Sequence, residues 1–334
     1  MSLSVFTKIP IPAVELEHLM HYADSAVSEA KLRKHSVSEE LKSQMHRHLV
    51  DLKLNPRYPD NLNIYDFVAK LFNLGVSKHP TFDQNRLWLF SSILILFLFE
   101  FDDHFDDHFD NPLHLTTENI ARLSKEMRAV LRSLSRHNLS GLQGSLEDWP
   151  AEVPCKEAYR WLLREAEDLK EGAAELLHDI FVDYCFGVEE EVIEWKSDMY
   201  RGDLTAWSLD RYKEVRKRAA GVVFAIVVPL FVTRKWIQKE HVNTCTDLLY
   251  EAALLVGLSN DILGIPRDLR DSGTMTVLKI ASTSEVVQHH NMMVEVLHKK
   301  VLALEGNTMH FMDAVETSVA GVFLWQCHSK RYTL

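Results

Sequence analysis

Apolar residues along this 334-residue chain recur mostly at three- and four-residue steps, and no stretch alternates convincingly as a strand. The pattern predicts helices over 14–33, 37–53, 63–75, 83–110, 117–136, 156–179, 181–199, 209–228, 236–264, 284–304 and 308–331. Ser36, with Glu39 three positions on, opens the second of these as a capping box, and Asn111-Pro112 closes the fourth. Pro10 and Pro12 mark residues 1–13 as an extended arm. Prolines and glycines make loops of 55–61 and 138–154. With no internal repeat and no long linker, the expectation is an all-α fold: a single helical bundle domain over residues 14–334, built around an apolar cavity.

The helix over 83–110 would be about 42 Å long, enough to cross a domain. Its apolar run, Leu87 to Phe99, lies between Arg86 and Glu100 and is too short for a bilayer, so it reads as a buried core helix. The run leads directly into Phe101-Asp102-Asp103-His104-Phe105-Asp106-Asp107-His108-Phe109-Asp110. On a helix, Asp102, Asp106 and Asp110 form one stripe, with Asp103 and Asp107 about 100° round from it. Like charges at this spacing destabilise a helix by a few tenths of a kcal/mol per pair, roughly, so the cluster calls for a cation. All-oxygen ligands suit Mg2+, with Mn2+ as a substitute; the alternative is a solvated acidic helix end.

Composition narrows the partners. A net charge of −11 without a basic cluster on a predicted helix face disfavours nucleic acid and anionic membrane. Cys155, Cys185, Cys245 and Cys327 are widely separated, so neither a zinc site nor a disulfide framework is indicated. The N-terminus shows no signal or transit character, and the expected location is cytoplasmic.

A second polar group, Asn260-Asp261-Ile262-Leu263-Gly264-Ile265-Pro266-Arg267-Asp268, follows another apolar helix. Asn260, Gly264 and Asp268 share a stripe that could hold a further Mg2+, with Arg267 beside it as a phosphate contact. Arg216 sits early in a helix that runs into the apolar stretch 221–232, and Arg331-Tyr332 ends the chain one heptad beyond Trp325. A guanidinium fork matches phosphate oxygens, and a phenol can donate to them. Taken singly, each of these is equally a surface feature.

In this order and spacing, the four groups resemble class I terpene synthases of the microbial type, from about residue 60 to the end. The resemblance implies one α-helical domain, two metal motifs facing each other across the mouth of an apolar pocket, and three Mg2+ ions holding the diphosphate of a linear isoprenyl substrate. It implies metal-site roles for Asp102, Asp103 and Asp106 on one side and for Asn260, Gly264 and Asp268 on the other. Arg216, Arg267, Arg331 and Tyr332 become the diphosphate donors. Following the metal stripes inward gives Phe99, Leu98, Ile95, Trp325, Gly257 and Ala253 as candidate pocket residues.

The chain departs from the family pattern at Gly264, which has no hydroxyl to ligate metal, and at Asp268, where Glu is common. Pro266 is expected to kink or end its helix near Ile262. The repeat Asp106-Asp107-His108-Phe109-Asp110 leaves the metal register open, with the first copy preferred. The expected activity is that of a Mg2+-dependent terpene cyclase and carbon–oxygen lyase, with farnesyl diphosphate favoured over geranylgeranyl diphosphate. The alternatives are a chain-elongating isoprenyl diphosphate synthase and a catalytically silent helical binding protein. Oligomeric state, including a homodimer, stays open.

Overall fold

The apolar run that begins at Leu87 becomes the middle of a central helix. In the computed structural model the described residues are 39–55, 68, 84–106, 116–135, 146, 148–234, 236–268 and 275–328. The central helix, α2, spans Gln84–Asp106, and every residue from Leu89 to Leu98 is buried. A helix that is apolar on all sides has to be enclosed on all sides. It is flanked by α1 (Glu39–Asp51), α4 (Lys156–Leu169) and α8 (Val222–Thr233).

Around this axis lie α3 (Thr117–Ser135), α5 (Ala173–Glu190), α6 (Lys196–Arg201), α7 (Leu209–Ala219), α9 (Lys239–Thr244), α10 (Thr246–Asp268), α11 (Thr283–Leu302) and α12 (Gly306–His328). A π-helical turn, Glu191–Trp195, joins α5 to α6, and a 3-10 turn, Val277–Lys279, precedes α11. No strand occurs among the described residues, so the all-α expectation holds. Nor is any described helix long and apolar enough to cross a membrane. The predicted arm over 1–13 and the helices over 14–33 and 63–75 fall outside the described residues, apart from Val68.

The core has an aromatic centre behind the aspartates. Phe181 of α5 lies 5.0 Å from Phe97, 5.2 Å from Phe101 and 4.9 Å from Tyr159, ring centre to ring centre. These are favourable separations for edge-to-face and offset ring pairs. A second buried cluster forms where Trp195, Trp207 and Tyr212 meet Leu254, Leu258 and Ile262 of α10.

Four helix boundaries differ from the sequence expectation. The break placed near residue 180 occurs instead at Lys170–Gly172. There Lys170 leaves α4 and donates to the carbonyls of Phe231 and Arg234, each at 2.9 Å, closing the end of α8. Residues 209–228 form two helices, because Gly221 turns with φ 65 at the head of α8. Residues 236–264 divide at Cys245, where Thr246 Oγ1 bonds the carbonyls of Val242 and Asn243 and competes with helix continuation. Finally, α10 runs through Pro266 to Asp268 instead of ending near Ile262. The proline falls in the last turn, so the one bond it cannot donate, to the Ile262 carbonyl, is lost without stopping the two residues that complete the helix.

His290 of α11 is buried, and burial pushes its imidazole down to about 4 from the ordinary 6.5. Between those values the folded chain binds fewer protons than the unfolded chain, so stability falls as pH falls through that window. The loss should be on the order of 3 kcal/mol by its lower end. Melting curves at pH 7, 5.5 and 4.5 should therefore show a steeper decline for the parent than for His290→Leu. Parallel declines would assign the acid sensitivity elsewhere.

Candidate functional site

A cavity opens between α2, α5, α7, α8, α10 and α12, at the end of α2 where the apolar run meets the aspartates. Ile95, Leu98, Phe99 and Asp102 of α2 line it, facing Val256, Gly257 and Asn260 of α10. Trp325 of α12 closes one side, its ring centre 6.0 Å from that of Phe99. The stripe argument thus brings Asp102, Asn260, Phe99, Leu98, Ile95, Gly257 and Trp325 to a single cavity, and Arg216, which the resemblance singled out, borders it too. Ala253 is buried but is not part of the lining. Val256 takes that place.

Asp102 is half-buried, and its Oδ1 accepts a 2.8 Å hydrogen bond from the Tyr184 hydroxyl. That phenol is buried, and burial first, then the Asp102 carboxylate, pushes it well above its ordinary value. It therefore stays a donor. Asp103 is also half-buried but does not border the cavity; its charge acts instead on Glu100 and Cys155. Asp106 is the last residue of α2, and its side chain lies outside the described residues.

Arg216, in the last turn of α7, reaches across to α10. Its Nη2 lies 2.9 Å from Oδ1 of Asp261, whose side chain is fully enclosed. Tyr212 donates to the other carboxylate oxygen, joined at 3.4 Å by the Val277 N–H. Burial pushes the Asp261 carboxyl up, while Arg216, foremost among its partners, pulls it back. Gly257 makes this crossing feasible: a Cβ there would stand 3.1 Å from Cγ of Arg216. The space beside Gly257 is thus partly filled by the arginine stem, where the sequence pattern leaves it for substrate. Gly221 serves the cavity similarly, since a Cβ on it would meet both Leu98 methyl carbons at 3.0 Å.

Asn260 carries the plainest sign of an absent partner. Its Oδ1 is buried and has no hydrogen bond among the described residues. Leaving such an oxygen unmet costs about 1–3 kcal/mol. A hard divalent cation is a fitting partner for an amide oxygen across from a carboxylate. Among the described residues no three His, Cys, Asp or Glu side chains gather into a preformed metal cage. Gly264 is buried, helical and outside the lining. Arg267 and Asp268 end α10, with side chains outside the described residues, as are Arg331 and Tyr332 altogether.

Several lining residues were missed in the sequence. Tyr184, Val188, Glu191 and Val192 enter from α5 and the π turn, Lys196 from the start of α6, and Gln326 from α12. The π turn takes up one extra residue, so Lys196 comes round to the face of Tyr184, leaving Trp195 packed on Trp207 at 4.9 Å. Lys196 Nζ then bonds the Phe105 carbonyl at 2.9 Å, holding the last turn of α2. The signal for Tyr184 and Val188 was present as a four-residue step leading to Val192. No regular helical period points to Lys196.

Comparison with solved structures places this chain among terpene synthases in fold. It matches a point variant of cucumene synthase at 16% identity over 90% of this chain and 98% of that one, with a TM-score of 0.64. An α-eudesmol synthase matches at 18% identity over 89% and 97%, with a TM-score of 0.56. Isoprene synthase from leaves of grey poplar (Populus x canescens), in complex with three Mg2+ ions and dimethylallyl-S-thiolodiphosphate, matches at 14% identity over 92% of this chain and 54% of that one, with a TM-score of 0.60. Comparison with curated proteins finds no match. The family model for terpene synthase family 2, C-terminal metal binding, matches residues 94–300 and so takes in the aspartate-rich end of α2, Arg216 and the Asn260 stripe. That span is more than half of the chain, and the protein belongs to this terpene synthase family.

Proposed function

We propose that this chain is a Mg2+-dependent terpene cyclase, a carbon–oxygen lyase that ionises a linear isoprenyl diphosphate, closes the carbocation into a ring and releases diphosphate. The observation that carries the reading is the unpartnered, buried amide oxygen of Asn260 in the same apolar cavity as Asp102. Asp102, with Asp103 and Asp106 in support, would hold metal on the α2 side. Asn260 and Asp268 would hold it on the α10 side, with water in place of the ligand that Gly264 lacks. Three ions are proposed, as in the poplar isoprene synthase complex. Bound Mg2+ supplies charge stabilisation to the departing diphosphate.

The chain's own residues do the rest. Arg216, Arg267, Arg331 and Tyr332 donate to the diphosphate oxygens as negative charge builds on them. Tyr184 keeps Asp102 in place. Ile95, Phe99 and Trp325 exclude water, and the two ring faces stabilise positive charge without attacking it. Gly257 and the Arg216 stem shape the opposite wall. Residues 14–334 are proposed to act as one catalytic domain with 1–13 as an arm, in a cytoplasmic protein.

The test is product analysis after incubation with ten-, fifteen- and twenty-carbon isoprenyl diphosphates in Mg2+, with and without isopentenyl diphosphate. Cyclic products that disappear with EDTA support the proposal. Elongated diphosphates would instead make this a chain-elongating synthase, and no diphosphate release from any substrate would leave a silent binding protein.

Farnesyl diphosphate is the proposed substrate, ahead of geranylgeranyl diphosphate, because the paired rings of Phe99 and Trp325 and the filled space beside Gly257 narrow the cavity from both sides. Phe99→Ala should accordingly raise kcat/KM for the twenty-carbon diphosphate relative to the fifteen-carbon one by roughly tenfold. A parent enzyme that already prefers the longer chain in direct competition would reverse the assignment.

A further inference from the structure

The polar groups that border the cavity are nearly all accounted for by diphosphate departure or by its supports. Gln326 is not. It is 3% exposed, borders the cavity beside Trp325, and belongs to the same helix as the apolar lining residue Val322. Among the described residues its amide is fixed at one end only. Ser259 Oγ lies 2.9 Å from Oε1 of Gln326 and also 2.9 Å from the Val256 carbonyl.

A hydroxyl carries one proton, so it serves one of these acceptors at a time. When Gln326 receives it, the amide NH2 is left to the cavity. When Val256 receives it, the amide turns its NH2 to Ser259 and leaves its oxygen to the cavity. Either way, half of a buried amide faces a pocket that is otherwise kept dry for a carbocation. A leucine or methionine would fill the place without that desolvation cost. A small hydrogen-bonding molecule is the partner that such a group fits, and water is the one always present.

We propose that Gln326 holds a water molecule that captures the final carbocation, so that the product is a terpene alcohol and not a hydrocarbon alone. The inference rests on the cyclase reading above. In the capture step a lone pair of the water oxygen forms the new C–O bond to the cationic carbon. The resulting oxonium gives one proton to the diphosphate anion released at ionisation. No oxidant or reductant is needed, and Gln326, a neutral amide throughout, positions the water without taking the proton.

The experiment is turnover of farnesyl and geranylgeranyl diphosphates by the full chain in 18O-labelled water, with products resolved by gas chromatography and mass spectrometry. The expected main product is an alcohol two mass units heavier than in ordinary water. Gln326→Leu should lower the ratio of alcohol to hydrocarbon at least tenfold, and Ser259→Ala, which frees the amide, should lower it less. Hydrocarbons alone from the parent enzyme would overturn the inference while leaving the cyclase reading intact. An unchanged ratio in a folded Gln326→Leu variant would overturn the assignment to this residue. No product from either substrate would overturn both readings together.

Discussion

Asp102→Ala should lower turnover by about a thousandfold or more, while the melting temperature falls only a few degrees. The activity loss follows if Asp102 is a metal ligand, since among the described residues it is the one carboxylate of α2 that borders the cavity. The modest stability loss has two opposed parts. The buried Tyr184 hydroxyl loses the acceptor that it meets at 2.8 Å, which costs roughly 1–3 kcal/mol. Removing one member of a crowded set of carboxylates offsets a few tenths of that, approximately. Asp102→Asn separates the two effects, because an amide oxygen can still accept from Tyr184 but carries no charge for the metal. It should keep the parent melting temperature and still lose most activity. If either variant turned over at the parent rate in the same Mg2+ concentration, the metal site would move to the second copy, Asp106 to Asp110.

Arg216→Met should cost both stability and activity. Its loss strands the Asp261 carboxylate, whose side chain is fully enclosed, with Tyr212 and the Val277 N–H as its remaining partners among the described residues. Breaking a buried ion pair from one side typically costs about 3–5 kcal/mol. Urea denaturation gives that value directly. Adding Asp261→Asn to Arg216→Met should restore much of the stability, because the stranded charge is gone, but none of the diphosphate release. A stability loss below about 1 kcal/mol for Arg216→Met would show that Asp261 is protonated in the folded chain, the direction in which its burial pushes it. Recovery of activity in the double variant would reduce Arg216 to a structural role.

The parts of the site that were legible in the sequence lie on regular helices. From Asp102, backward steps of three, four and seven residues reach Phe99, Leu98 and Ile95, and all three line the cavity because α2 is unbroken over that stretch. Asn260 and Gly257 followed from the same period on α10. Ala253 failed although it lies the same seven residues from Asn260 as Ile95 does from Asp102, because at that depth its face of α10 packs into the core. Asp261, next to Asn260 in sequence and given no role there, is turned inward to Arg216 and Tyr212 by one step round the helix. Helix ends were less legible than helix faces. The apolar run through residues 221–232 gave no hint that Gly221 reverses the backbone, and Lys170 ends α4 for the sake of carbonyls more than sixty positions away. Such causes are tertiary and leave no local period.

The wide turn at Glu191–Trp195 means that this stretch keeps two angular frames, one before it and one after. If the same residues took ordinary α geometry through this turn, with none removed, everything downstream would rotate by about 100°. A tryptophan indole would then enter the pocket where the Lys196 side chain now stands, and the carbonyl of Phe105 would lose its tether. A one-residue deletion inside the turn has the opposite result: the backbone returns to α geometry and Lys196 keeps its face. When related chains are aligned, a single-residue gap in this turn therefore leaves the cavity side chains beyond it in correspondence.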